Sequence, residues 1–119
     1  MAKLTEEARK IIAEAGPALI ATSSKNGKSH VHVKGSFRVL DDEHLVFVDI
    51  DSPRTMANLR DNPQLSTLVF DPETGRSCRI WGKAEIINKG EIFDSVVAEL
   101  GKKKLRHLVR VTVGEVETF

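Results

Sequence analysis

The segment Asp49-Ile50-Asp51-Ser52-Pro53-Arg54-Thr55-Met56-Ala57-Asn58-Leu59 carries the densest chemistry in the chain. Its pattern is an apolar strand running directly into a helix whose first turn holds Ser52, Arg54 and Thr55. The free N–H groups of such a turn and the positive end of its dipole favour an anion. Arg54 adds a planar fork of donors suited to phosphate, and the Thr55 hydroxyl adds another. A plainer reading stands beside this one: Ser52 as an ordinary N-cap and Arg54 as a solvated charge, since capped helices are common. The second segment is His30-Val31-His32-Val33-Lys34-Gly35-Ser36, which sets His30, His32 and Lys34 on one face of a strand. Two histidines fall short of the three or four ligands a metal site needs, so no metal is expected. Together with Arg54 the cluster suits a phosphorylated ligand; alone it is a polar strand face. His32 and Asp49 could act as acid or base, but a structural or ligand-binding role suits them better, and no catalytic residue is assigned.

The elements that must hold these residues follow from the hydrophobic period. Leu4, Ala8, Ile11, Ile12 and Ala15 recur at helical spacing, with Thr5 as N-cap and Gly16-Pro17 as the stop. Ala18–Ser23 reads as a strand, and Asn26-Gly27 is a hairpin signal. Ser29–Leu40 alternates as one strand, with Gly35 marking a bulge or a close backbone approach. Leu45–Ile50 is a third strand. A short helix then opens at Ser52-Pro53 and ends near Asn62-Pro63. Strands over Leu65–Phe70 and Cys78–Ile87 follow, then a helix over Glu91–Leu100 capped by Gly101. Leu108–Val113 is the last strand, and Glu115–Phe119 a tail in which Val116 and Phe119 follow without a breaker, a pattern that allows docking. The expectation is a single domain over residues 1–119, of α+β class and mainly antiparallel: a six-stranded split β-barrel with short flanking helices.

Composition removes other classes. Apolar residues make up 40% and charged residues 29% of the 119, with a formal net charge of +1, so no nucleic-acid or membrane partner is expected. The basic run Lys102-Lys103-Lys104-Leu105-Arg106-His107 reads as charge complementing a helix C-terminus. A single cysteine, Cys78, rules out an intrachain disulfide and suits a cytoplasmic protein. Met1–Glu7 is charged and lacks an apolar stretch, so no signal peptide is expected. No apolar run approaches the ~18 residues of a membrane span. Phosphate-loop, dinucleotide-fingerprint, zincin, CxxC and nucleophile-elbow motifs are all missing.

Taken in order, the strand ending His32-Val33-Lys34-Gly35-Ser36-Phe37, the run Ser52-Pro53-Arg54-Thr55-x-x-Asn58-Leu59 and the strand Arg79-Ile80-Trp81-Gly82-Lys83-Ala84-Glu85 resemble the FMN-binding split barrels of the pyridoxamine 5′-phosphate oxidase-like superfamily. From about residue 77 to Phe119 the pattern also resembles the small FMN-binding proteins of this length. The resemblance implies that Arg54 and Thr55 hold the FMN phosphate, with Asn58 in the same motif. It implies that His32, Val33, Lys34, Gly35 and Ser36 contact the cofactor, Lys34 at the phosphate or ribityl chain. The ring is expected near Val48 and Asp49, at the interface of a homodimer, with Trp81 and Phe119 of the partner closing the pocket. The implied function is a small redox flavoprotein: an electron carrier docking with redox partners, or a reductase or oxidase of an unidentified small substrate. The named oxidase is longer and has a C-terminal extension for its pyridoxine substrate, so that oxidation itself is not expected here. The alternative is a non-enzymatic module of the same fold for haem or F420, with His30, His32, His44 and His107 available as axial ligands.

Overall fold

Thr5 opens α1 (Glu6–Ala15) by accepting the Ala8 N–H at 3.1 Å, and Ala8, Ile11 and Ile12 bury the apolar stripe that the spacing required. The computed structural model describes residues 2–100 and 105–119. After α1 come β1 (Ala18–Ser23), β2 (Ser29–Lys34), β3 (Arg38–Asp41), β4 (His44–Asp49), α2 (Pro53–Asp61), β5 (Gln64–Phe70), β6 (Ser77–Ile87), α3 (Glu91–Leu100) and β7 (His107–Thr118). The Asn26-Gly27 signal does join β1 to β2, with Gly27 at φ 86°, a conformation that costs glycine little. The Gly101 cap and Lys102–Lys104 lie outside the described residues.

All strands join one sheet in the order β2-β1-β5-β6-β7-β4-β3, and every neighbouring pair is antiparallel. β2 and β3 are consecutive in sequence yet occupy opposite edges. In a flat sheet those edges would lie about 28 Å apart, at the usual strand spacing. The four peptide steps from Lys34 to Arg38 span at most ~14 Å. The sheet must therefore curl until its edges nearly meet, which makes a barrel left open between β2 and β3. Its interior holds Ile20, Leu45, Phe47, Ile80, Val111 and Val113, plugged by α1.

Two expectations change here. Among the described residues there are seven strands, not six, because the stretch expected as one strand over Ser29–Leu40 breaks at Gly35–Phe37. Alternation continued across those residues, but the chain there crosses from one sheet edge to the other and cannot stay in a ladder. The segment Glu115–Phe119 is not a tail: β7 continues to Thr118, paired with β6 through a shift between Trp81 and Gly82. A Cβ on Gly82 would lie 2.6 Å from the Thr112 carbonyl oxygen and 2.6 Å from Val111 Cγ1, so only glycine lets the two strands approach there. Phe119 closes the ladder, exchanging both main-chain bonds with Ser77 at 2.7 and 3.0 Å.

β4 is buried on both faces. Leu45 and Phe47 point into the barrel, while Val46 and Val48 pack with Val96 and Leu108 beneath α3. A strand covered on both sides reads as a continuous apolar run, as β4 does. It also ends in a buried polar residue, Asp49.

Candidate functional site

The crossing turn after β2 and the corner between β4 and α2 lie side by side. Ser36 ties them: its Oγ accepts the Val48 N–H at 3.0 Å. Between them runs a groove of about 600 Å³ lined by His32, Val33, Lys34, Gly35, Ser36, Val48, Ile50, Asp51 and Ser52. Six residues expected from the sequence meet there: His32, Val33, Lys34, Gly35, Ser36 and Val48. Ile50, Asp51 and Ser52 join them as lining not named in advance as ligand contacts.

Lys34 sits at the end of β2 with only 8% of its surface exposed. Its ammonium donates to the Ser52 hydroxyl and stands 5.9 Å from the centre of the Phe47 ring. Burial pushes its pKa down, against the upward pull of the Asp49 charge. Ser52 is the N-cap residue of α2 by position, but its side chain makes no capping bond. The plain-cap reading of Ser52 is thereby set aside. Pro53 takes the first helical position, so the Arg54 and Thr55 N–H groups begin the helix with no side chain capping them and no acceptor within it. Thr55 Oγ1 is buried and has no hydrogen-bond partner.

Asp49 holds this corner together. It is 3% exposed, and its Oδ1 accepts the Ser52 N–H at 2.8 Å. Its Oδ2 accepts from His107 Nδ1 at 2.9 Å. Burial pushes the Asp49 pKa up, but the bonds from His107 and Ser52 and the nearby Lys34 charge outweigh it, and the carboxyl is held below its ordinary value. His32 is shifted down by burial and by the charges of Lys34 and His30.

The remaining expected residues lie off the groove wall. The Asp49 side chain is turned into the protein. Arg54 is exposed in the first turn of α2 and joins no ion pair among the described residues. Asn58 donates to Thr22 Oγ1 at 3.1 Å, tying α2 to β1. Trp81 and Phe119 are exposed on the outer sheet face, with the Arg79 guanidinium 5.7 Å from one ring and 4.6 Å from the other. The partner of Asp49, His107, entered the sequence reading as a possible axial ligand and as the end of a basic run, not as part of this corner. Antiparallel pairing of the third and last strands would have set it opposite Asp49.

Chemically, the groove sets the Lys34 ammonium and the exposed Asp51 beside the start of α2, with an apolar flank in Val33, which is 54% exposed, and Ile50. That combination suits an amphipathic ligand with an anionic group, and the volume falls in the range of small-molecule sites. The fold is thus a split barrel with a buried lysine and an uncapped helix start at the edge of its opening. The family model described as pyridoxamine 5′-phosphate oxidase matches residues 4–119, and the chain belongs to that family. No curated protein matches the chain significantly. Among solved structures it is similar to HupZ from Group A Streptococcus, with a TM-score of 0.89, 22% identity and coverage of 98% of this chain and 94% of that one. It is also similar to an FMN-binding protein from Syntrophomonas wolfei (TM-score 0.84, 16% identity, coverage 95% and 84%). A third is HutZ, the heme storage protein from Vibrio cholerae (TM-score 0.68, 20% identity, coverage 98% and 94%). At these identities the likeness is one of fold. Among the described residues no helix is long and apolar enough to cross a membrane.

Proposed function

We propose that this protein binds FMN in the groove between the crossing turn and the β4–α2 corner and works as a small redox flavoprotein, either an electron carrier or a reductase or oxidase of a small substrate. The observation that carries the reading is the position of Lys34. A nearly buried ammonium stands beside a helix start that no side chain caps, in the same groove as exposed apolar surface.

The residues fit the cofactor. A phosphate at the corner would take the Lys34 ammonium and the Arg54 and Thr55 N–H groups, with the exposed fork of Arg54 approaching from the solvent side. Thr55 Oγ1, buried in that turn without a partner, is a further donor within reach of a small rearrangement. Val33, Val48 and Ile50 would flank the ring. FMN when bound supplies the redox chemistry; the protein binds it, orients it and limits access to it.

The groove is open on one side, and a second copy of the chain is the proposed cover. Paired residues share a face, so Val31, Ala21, Ser66 and Trp81 form one outer row and Val33, Leu19, Leu68 and Arg79 the next. Leu19, Val31, Val33, Phe70, Trp81 and Phe119 are all exposed on this side of the molecule. Val33 belongs both to this face and to the groove wall, so a two-fold partner docked here would also close the ligand site. Trp81 and Phe119 would then face the partner's groove.

Haem is the second reading, favoured by His32 on the groove wall and by the likeness to a heme storage protein. Titration with FMN, riboflavin and haemin, followed by absorbance and flavin fluorescence, separates them. FMN is expected to bind more tightly than riboflavin, and Lys34→Ala to weaken FMN about tenfold or more, the worth of one bond to a charged group. Wild-type protein that takes up haemin but no FMN would overturn the flavin reading.

A further inference from the structure

We propose that His107 is a positioning residue of the anion corner, acting through Asp49 and Ser52 to keep Lys34 available for an external anion; this rests on the phosphate-binding reading of that corner. His107 stands directly opposite Asp49 across the β4–β7 ladder, and the Arg106 N–H donates to the Asp49 carbonyl at 3.0 Å, so this pairing is held by main chain as well as side chain. An ionised carboxylate only accepts, so Nδ1 of His107 carries the proton in the 2.9 Å bond to Oδ2. The other carboxylate oxygen is taken by the Ser52 N–H, which shapes the chain turning from β4 into α2. With both oxygens engaged, Asp49 forms no ion pair with Lys34, whose ammonium instead rests on the Ser52 hydroxyl.

The alternative arrangement is easy to name. A buried carboxylate deprived of one donor turns toward the nearest cation, because an unpaired buried charge is costly. Among the described residues the lysine whose charge already acts on Asp49 is Lys34. Loss of the His107 donor would let Asp49 pair with Lys34 and draw the ammonium off the ligand. Ser52 would lose its orientation in the same movement. His107 is thus set to hold the internal anion away so that the cation meets an external one.

Three variants test this, with the FMN and riboflavin dissociation constants and the melting temperature measured for each. Asparagine places an amide N–H where histidine has Nδ1; glutamine carries its amide further out, and alanine has none. His107→Ala and His107→Gln are expected to weaken FMN about tenfold while riboflavin binding stays unchanged, and His107→Asn to return FMN affinity to within about twofold of the wild type. FMN binding unchanged in both alanine and glutamine variants, or FMN and riboflavin weakened equally, or no recovery in His107→Asn, overturns the proposal. If His107→Ala does not fold, the glutamine and asparagine variants decide the matter. If the wild type takes up no FMN, the flavin reading fails on its own, and inorganic phosphate becomes the probe. The Lys34 side-chain resonances should then shift with phosphate in the wild type and in His107→Asn, at about tenfold higher phosphate in His107→Gln. Equal phosphate responses in all three, or none in the wild type, overturn the positioning role.

Discussion

The β4–α2 corner and the outer face of β2, β1, β5 and β6 solve opposite problems. At the corner, Lys34, Asp49, Ser52 and His107 are polar, and all but His107 are buried, each with a partner supplied by the chain itself. On the outer face the exposed residues are apolar: Val31 is 60% exposed, and Leu19, Phe70 and Trp81 lie open with it. The first region satisfies these four groups from within the chain. The second is incomplete, since soluble monomers rarely leave so much contiguous apolar surface to water. One region is organised in advance; the other is the face proposed above for a copy of the chain to cover.

The contrast between the two regions is greatest at Asp49. Asp49→Ala leaves the Ser52 N–H and His107 without their acceptor and removes a negative charge that acts on the buried Lys34, and is expected to lower unfolding free energy by ~3 kcal/mol, measured by urea titration. Trp81→Ala on the open face should cost the isolated protomer ~1 kcal/mol or less. Equal costs would mean that the corner is no more organised than the face. Next in size is Lys34→Met. Replacing a buried ammonium by an apolar side chain of similar length should stabilise the ligand-free protein by ~1 kcal/mol while weakening FMN at least about tenfold. Both changes are needed, because a destabilised Lys34→Met protein would make the lysine structural rather than a ligand group.

Val31→Asp sharpens the other half. It should leave melting of the protomer near the wild-type value and turn the proposed dimer into a monomer in sedimentation, with FMN affinity falling as the proposed cover is lost. Smaller effects come from pH. The folded-state pKa of Asp49 is depressed, so its contribution to stability is fully present above the unfolded value of about 3.9 and is lost as pH falls from there through the lower folded value. Asp49→Asn should flatten the stability curve in that acid window. The His32 pKa is also lowered, and a bound phosphate would raise it again. FMN should therefore bind roughly two- to threefold more tightly as pH falls below about 6.5, and His32→Gln should abolish that slope.

Much of this was legible in the residues. Thr5, Asn26-Gly27 and Ser52-Pro53 each act within a few residues of themselves, through a cap, a turn or a helix start, and they mark the boundaries of α1, the β1–β2 hairpin and α2. Period-two alternation placed Lys34 and His32 on a strand leading to Gly35. The groove is built from two short contiguous runs, so most of its wall was visible too. Alternation could not show that Ser29–Leu40 must break, since periodicity is blind to which sheet edge a strand joins.

Local preferences alone settle most of the elements and the types of group at the site: a lysine on the polar face of a strand and a helix start rich in donors. Only the tertiary structure decided their orientation. Asp49 faces inward because His107, 58 residues along the chain, pairs with it across β7. Asn58 faces β1 rather than a ligand because Thr22 is there to accept from it. Local preferences follow from sterics and hydrogen bonds between near neighbours; which buried polar groups meet depends on strand pairing between distant segments, and that is settled only when the sheet curls and its edges close.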